Sequence, residues 1–403
     1  MCGIFGCIRN NSDIRIDLLI LNALNLLKNR GYDSCGIYLF SEETNKYIEK
    51  FGIDGEIIKN SDIKDIFELL EYKLQNNTKN NFNLGIGHTR WATHGGKTDY
   101  NSHPHISNNN ELSIVHNGII SNYNDIKEIY LSNYKFNSNT DTEVIINLIQ
   151  YFQDNTKLEM LEILEKIKDI LEGTWACIIH DIKVPNRLYF MKNENPLLIG
   201  INNDVTMFTS EPSGFMNKID KYILLRDKTY GYVENNNKLI VGEFKELDLI
   251  KTSDDYFKLS TEFNHWMYKE ILDQRNLNIL KDPITNKLRY NNNNVLFDFE
   301  FIKPCKYLYI IACGSSYYAG LIASNYFRYT KAFEFVNVYD GGEFTKAHLE
   351  AIKNPEEDLL ILLLSQSGET RDLNIATTIC REFSSNRVNK LKPNELLLSN
   401  DFS

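Results

Sequence analysis

A thiol at position 2, directly behind the initiator Met1, is the first group in this chain suited to covalent chemistry. Removal of Met1 would place a free α-amine and a thiol on one residue. With pKa values near 8 and 8.5, either group can lose a proton close to neutrality, so the amine can relay a proton to or from the sulfur. Taken by itself, Cys2 reads first as a small residue that permits methionine removal, since most cysteines are small buried hydrophobes. Three stretches downstream carry the groups a nucleophilic thiol needs. GHTRWATHG (87–95) ends a predicted strand and offers Arg90, Thr93 and His94 in one loop, a guanidinium and a hydroxyl suited to clamping a carboxylate. The plain alternative is a surface loop with an ordinary arginine. VHNGII (115–120) sets Asn117 and Gly118 at another strand end, where an amide NH2 and a backbone N–H can converge on a developing oxyanion. Taken alone, Asn-Gly is the strongest short signal of a type I′ hairpin turn, and the turn is the reading it favours. NTDTEV (139–144) places Asp141 just before a helix, where an N-cap is the default role. Five histidines lie between His88 and His116 without ligand spacing on a recognisable helix, so neither a metal nor another cofactor is expected.

A second chemical stretch is LSQSGET (364–370), a strand entering a hydroxyl-rich turn at a helix start, where backbone N–H groups and the helix dipole favour a phosphate. ACGSS (312–316) repeats the pattern after another apolar strand. Serine-rich turns can be plain N-caps, but two of them after strands of one parallel sheet favour the phosphate reading.

The elements that must position these groups follow from periodicity. Gly3 to Ile8 predicts a fully apolar strand, and Asp13 can cap a helix running to Lys28 and ended by Gly31. Strands are predicted near 37–40, 46–52, 84–88 and 112–116, and helices near 63–75, 124–131, 142–153 and 158–171. From Trp175 to Val241 the pattern is short strands and turns. Strands on both sides of a helical middle predict sheet packed on sheet with helices outside, over residues 2–246. Residues 247–300 are acidic and asparagine-rich around FNHWMYKEILDQ (263–274) and read as a linker with one docking helix. From Lys306 apolar runs alternate with helices, which predicts βαβ units and a parallel sheet over 301–403. Three strands are visible there, and no apolar strand is predicted after the third helix, so that domain reads as incomplete.

The 403 residues carry a net charge of −10 and no basic run, which argues against a nucleic-acid surface. No apolar run approaches the roughly 18 residues of a membrane span, and the N-terminus has no cationic leader. Seven cysteines without CxxC spacing fit reduced thiols. A soluble, cytoplasmic protein is the expectation.

CGIFG, RGYDSCG (30–36), GHTRWATHG, NSHPH (101–105), VHNGII and TDTEV stand in the order and approximate spacing of class II glutamine amidotransferase domains, which are N-terminal-nucleophile hydrolases. With ACGSSYYAG (312–320) and LSQSGETRDL (364–373) added, the chain resembles the glutamine:fructose-6-phosphate amidotransferase family more narrowly. The resemblance covers the glutaminase domain and about the first half of the sugar-isomerase (SIS) region. It implies an α+β glutaminase domain, an α/β/β/α sandwich, followed by a partial α/β SIS-type parallel-sheet domain. It implies that Cys2 is the nucleophile and its own amine the base, with Asn117 and Gly118 as the oxyanion hole. Arg90, Thr93 and His94 would bind the α-carboxylate of L-glutamine, and Asp141 its α-ammonium. Arg30 to Asp33, including Tyr32, would form a lid, and Trp91 resembles the gate of an ammonia channel. A core aromatic remains a credible alternative for Trp91. Ser316, Ser365, Gln366, Ser367 and Thr370 would hold the phosphate of fructose 6-phosphate. The family is homo-oligomeric. Ser315 stands where threonine is usual and Arg275 where proline is common. The residues that carry isomerisation in the family, on a second SIS domain and a tail, have no counterpart here, so the chain is expected to be C-terminally truncated, with a stand-alone glutaminase or a sugar-phosphate-binding regulator as alternatives.

Overall fold

The structure is a computed structural model that describes residues 2–10, 14–77, 81–91, 96–242, 248–251, 289–290, 295–296, 305–352, 359–365, 370–385 and 394–398. The chain divides into two compact units, Met1–Leu259 and Ser260–Ser403.

The first unit contains two sheets. β1 (Gly3–Arg9), β2 (Ser34–Ser41), β3 (Asn45–Gly52) and β4 (Leu84–Arg90) precede β5 (His105–Ile106), β6 (Leu112–Ile120), β7 (Gly173–Asp181) and β8 (Arg187–Asn193). β9 (Leu198–Ile201), β10 (Val205–Thr209), β11 (Lys221–Leu224), β12 (Thr229–Glu234), β13 (Leu239–Val241) and β14 (Asp248–Lys251) follow. One sheet runs β14-β11-β9-β10-β1-β4-β2-β3 and the other β13-β12-β8-β7-β6-β5. The helices are α1 (Ile16–Leu26), α2 (Glu56–Lys59), α3 (Ile66–Gln75), α4 (Tyr123–Tyr130), α5 (Thr142–Asn155) and α6 (Met160–Ile170).

Three apolar layers hold this unit together. The first lies between the first sheet and α1 and α3, the second between the two sheets, and the third between the second sheet and α4, α5 and α6. The result is an α/β/β/α sandwich, two facing sheets with helices on both outer faces. β1 is apolar on both faces because both are covered: Phe5 and Cys7 pack toward the helices, while Ile4 and Ile8 enter the layer between the sheets. Ile4, Phe5 and Ile8 are fully buried, each contributing about 1.5–3 kcal/mol, and β1 sits between β10 and β4. The strand that carries Cys2 is therefore among the best anchored in the molecule.

Two boundaries differ from expectation. β14 pairs antiparallel with β11, so the first sheet reaches into the span read as linker. Asp13 and residues 263–274 lie outside the described residues. α1 begins at Ile16 with Arg15 in the cap position, and Arg15 donates to Asp17 through Nε at 2.9 Å.

In the second unit β15 (Arg289–Tyr290) and β16 (Val295–Leu296) form a short antiparallel pair. β17 (Tyr307–Ala312), α7 (Gly314–Thr330), β18 (Phe335–Asp340), α8 (Lys346–Glu350), β19 (Leu359–Leu364), α9 (Arg371–Ser385) and β20 (Asn394–Leu398) follow in order. The sheet is parallel, in the order β18-β17-β19-β20. Leu308 and Ile310 share one apolar layer with Phe327 of α7, whereas Tyr309 and Ile311 share the other with Leu349 of α8 and Leu373 and Ala376 of α9. β20 corrects the expectation that no strand follows the third helix. Its apolar run is only Leu396–Leu398, framed by polar residues, too short to register by periodicity, yet parallel pairing with β19 completes a fourth strand.

Candidate active site

Alternation along three strands brings the first unit's chemistry together. On β1 the even positions Ile4 and Ile8 face the layer between the sheets, and Cys2 precedes Ile4 by two. On β4, Leu84 and Ile86 face the same layer, with His88 and Arg90 next in step. On β6, Val115 does so, and Asn117 follows by two. A period of two thus delivers Cys2, Arg90 and Asn117 to one end of that layer.

The Cys2 backbone nitrogen donates to Asn117 Oδ1 at 3.3 Å, and the thiol donates to the Trp91 carbonyl at 3.6 Å. Arg30 Nε donates to the Cys2 carbonyl at 3.1 Å, while its Nη1 pairs with Glu211 Oε2 at 3.2 Å. Gly3 N–H donates to Thr89 Oγ1 at 3.2 Å and Ile4 N–H to Ser210 Oγ at 3.1 Å. The backbone of residues 2–4 is therefore fixed by four side chains, Asn117, Arg30, Thr89 and Ser210, from four separate segments of the chain. Thr89, Ser210 and Glu211 were not anticipated, and no local motif marks Ser210 or Glu211. Thr89 sits inside GHTRWATHG, where its neighbours drew the attention. Gly31 brings the RGYD turn against the end of β4: an added Cβ would lie 2.4 Å from the Arg90 carbonyl carbon, a clash with backbone that cannot move aside.

The favoured reading of Asn117-Gly118 as a hairpin turn is overturned. β6 runs through both residues to Ile120, with Asn117 opposite Ala176 and Gly118 opposite Trp175. The glycine serves a φ of +150° inside the strand rather than a reversal. Asn117 is 4% exposed, and its Nδ2 has no hydrogen-bond partner among the described residues. A buried donor without a partner costs about 1–3 kcal/mol, so its persistence calls for a ligand that takes the bond. The N-cap reading of Asp141 is overturned as well. It occupies the cap position of α5 but makes no side-chain cap bond; Oδ2 instead accepts from Ile120 N–H at 2.7 Å, tying the helix start to the strand that holds Asn117. Trp91 is no core aromatic either. It is 45% exposed and meets Tyr32, also exposed, edge-on at 5.3 Å between ring centres. Thr93 and His94 lie outside the described residues.

Burial raises the Cys2 thiol above its ordinary pKa, opposed by a backbone hydrogen bond with Trp91 and by the positive charges of the N-terminus, Arg90 and Arg30. The resting sulfur is a thiol and requires a base to become a nucleophile. Burial also lowers the Arg90 guanidinium, while Cys2, Asp33 and Asp141 act in the opposite direction. Arg90 Nη1 donates to the Gly96 carbonyl at 3.1 Å.

Behind this front lies a buried imidazole cluster. Thr142 Oγ1 lies 2.9 Å from His103 Nε2 and 2.9 Å from His116 Nδ1, His88 Nε2 meets the His116 carbonyl at 3.0 Å, and His88 stacks on His103 at 3.9 Å. Burial lowers all three, His88 to about 3, so these rings are neutral spacers that register α5 against β6. Among the described residues no group of three or more His, Cys, Asp or Glu is placed to hold a metal ion.

In the second unit, β17 and β19 are neighbours whose chain connections leave in opposite directions, to β18 and to β20, so their C-terminal ends form a topological switch point. Ala312 and Leu364 end those strands in register. Ser316, in the first turn of α7, follows one; Ser365 follows the other and lies 3.1 Å, Oγ to Oγ1, from Thr370 at the start of α9. Gln366 and Ser367 lie outside the described residues.

A glutamine amidotransferase domain matches residues 88–217 and a SIS domain residues 301–388. A probable glutamine-fructose-6-phosphate aminotransferase (isomerizing) of Acanthamoeba polyphaga mimivirus is 34% identical over 393 residues, 95% of this chain and 61% of its own. In domain content, and over nearly all of its own length, the chain is similar to glutamine-fructose-6-phosphate aminotransferases. Glutamine-fructose-6-phosphate aminotransferases (isomerizing) from Staphylococcus epidermidis and Streptococcus agalactiae are 31% and 33% identical, over 92% of this chain and 59% and 58% of theirs. The chain spans about three fifths of the length of these curated relatives. A glutamine phosphoribosylpyrophosphate amidotransferase of B. subtilis aligns over 99% of this chain and 81% of its own at 15% identity, with a TM-score of 0.48. No helix among the described residues is long and apolar enough to cross a membrane.

Proposed function

We propose that residues 2–246, with β14 appended, hydrolyse L-glutamine at Cys2, and that the ammonia is transferred to fructose 6-phosphate bound by the SIS domain, giving glutamate and glucosamine 6-phosphate in the cytosol. The observation that carries this reading is the meeting of Cys2, Asn117 and Arg90 at one end of the inter-sheet layer, with the Asn117 amide hydrogens buried and unclaimed.

With Met1 removed, the nitrogen that donates to Asn117 Oδ1 is an amine, and that bond orients it while leaving its lone pair for the thiol proton. Sulfur then adds to the γ-carbonyl carbon, and the resulting oxyanion takes hydrogen bonds from Asn117 Nδ2 and Gly118 N–H. The ammonium returns its proton to the departing nitrogen, ammonia leaves, and a thioester forms. Water, deprotonated by the same amine, releases glutamate and restores the thiol. Arg90, with Thr93 and His94, holds the α-carboxylate and Asp141 the α-ammonium, so both ends of the substrate are fixed and the amide is presented to the sulfur. Tyr32 and Trp91 form the exposed rim beside the thiol and act as its lid and gate. Ser316, Ser365 and Thr370, at the switch point, receive the sugar phosphate, a role that Gln366 and Ser367 share.

The test supplies glutamine carrying a nitrogen label on the amide, with and without fructose 6-phosphate. Labelled glucosamine 6-phosphate supports the whole reading, glutamate with free labelled ammonia supports the hydrolytic half alone, and no turnover overturns both.

A further inference from the structure

A second asparagine stands behind the oxyanion site. Asn195 Nδ2 donates to the Asn117 carbonyl at 2.9 Å and to Thr174 Oγ1 at 3.1 Å. Both hydrogens of that amide are thereby used, and the side chain cannot turn without losing a bond. The Asn117–Gly118 peptide is trans, since the cis bond among the described residues is His103–Pro104. In a planar trans unit the carbonyl and the following N–H point in opposite directions. Holding the Asn117 carbonyl therefore fixes the direction of the Gly118 N–H, which points away from Asn195.

Such an anchor is needed at this position. Glycine imposes the least restriction on rotation of the peptide before it, and Gly118 sits at φ +150°, where an added Cβ would lie 2.0 Å from the Thr174 carbonyl oxygen. No side chain at 118 can lock the unit, so the lock has to come from outside the strand. The segment that carries Asn195 is itself fixed. Asn195 N–H donates to the Asn193 carbonyl at 2.7 Å, Glu194 N–H donates to Asp227 Oδ1 at 2.7 Å, Lys192 pairs with the same carboxylate at 2.5 Å, and Asn193 Nδ2 donates to the Gly173 carbonyl at 2.9 Å.

We propose that Asn195 is a positioning residue for amide cleavage, aiming the Gly118 N–H at the oxyanion through the carbonyl of Asn117. The proposal rests on the reading of Cys2, Asn117 and Gly118 as the cleaving centre. Because Asn195 acts on a donor engaged only in the tetrahedral state, its loss belongs in turnover and not in substrate affinity.

The full chain, its Asn195→Ala and Asn195→Asp variants, and Cys2→Ala are compared for glutamine hydrolysis, melting temperature and inhibition by glutamate γ-semialdehyde. The thiol of Cys2 adds to that aldehyde, giving a thiohemiacetal whose oxygen occupies the oxyanion site. Misaiming one donor lowers kcat about ten- to hundred-fold, with KM for glutamine within about twofold of the parent. Affinity for the aldehyde falls in step with kcat/KM, whereas inhibition by glutamate is unchanged. Asn195→Asp keeps the shape without the donor and gives the same split if the alanine variant folds poorly. A kcat within about twofold of the parent in a folded Asn195 variant, or kcat and KM lost together with the melting transition, overturns the proposal while leaving the centre standing. Hydrolysis that survives Cys2→Ala, or a parent that cleaves nothing, overturns the centre and the proposal with it.

Discussion

Asn117→Ala separates a catalytic amide from a structural one because its two atoms have opposite effects on stability. Oδ1 accepts from the Cys2 nitrogen at 3.3 Å, a long bond whose loss costs about 0.5–1.5 kcal/mol. Nδ2 is buried without a partner, and deleting an orphan donor returns about 1–3 kcal/mol. The two nearly cancel, and the residual cavity is that of a small side chain. At 2–4 °C per kcal/mol for a unit of this size, the melting temperature stays within about 4 °C of the parent. Turnover does not share this cancellation. Removing one of two oxyanion donors lowers kcat by roughly 10² to 10³, about 2.7–4 kcal/mol, with KM nearly unchanged. Coupled glutamate-release kinetics and a thermal melt on one preparation read both quantities. A melting temperature lowered by about 8 °C or more with kcat retained would refute the reasoning, because Asn117 would then be a packing residue whose missing partner has no functional meaning.

Asp141→Ala raises KM for glutamine about ten- to hundred-fold, the worth of a charged hydrogen bond, with a smaller change in kcat; the reverse split in steady-state kinetics contradicts its role as ammonium site. The buried histidines make the first unit acid-sensitive. His88 falls from 6.5 unfolded to about 3 folded, so the folded state binds fewer protons between those values, and the stability this contributes is complete above pH 6.5 and lost as pH falls below it. At pH 5 His88 alone removes about 2 kcal/mol, with His103, His105 and His116 adding in the same direction, and a urea midpoint flat between pH 7 and pH 5 contradicts this. Thr370→Val weakens fructose 6-phosphate binding about tenfold or more by calorimetry without altering glutamine hydrolysis, and unchanged binding removes Thr370 from the phosphate site.

How far the sequence carried differs from element to element. β1, β4, α5, α6 and the β17-α7-β18 unit were legible because apolar periodicity is local and these elements are covered on the faces their patterns imply. Asn117 and Asp141 were singled out from the sequence, but the local defaults for them do not hold in the structure: Asn-Gly is a turn signal only when the chain reverses, and here pairing with β7 keeps it extended. Asp141 was drawn from its cap by the Ile120 N–H, a contact no local rule foresees. Ser210 and Asn195 were invisible for a related reason. They reach Ile4 and Asn117 across 206 and 78 positions, and serine or asparagine in a turn has too many ordinary uses to stand out. β20 was missed because three leucines do not make a period.

The central claim is that Cys2 attacks with its own amine as base. Its most direct test is glutamate release by two preparations whose intact masses establish that one has lost Met1 and the other retains it. Loss of Met1 should accompany full hydrolysis and its retention near-complete loss, at unchanged melting temperature, since an acylated nitrogen cannot take the thiol proton. Equal turnover by the form shown to retain Met1 would contradict the self-base mechanism outright.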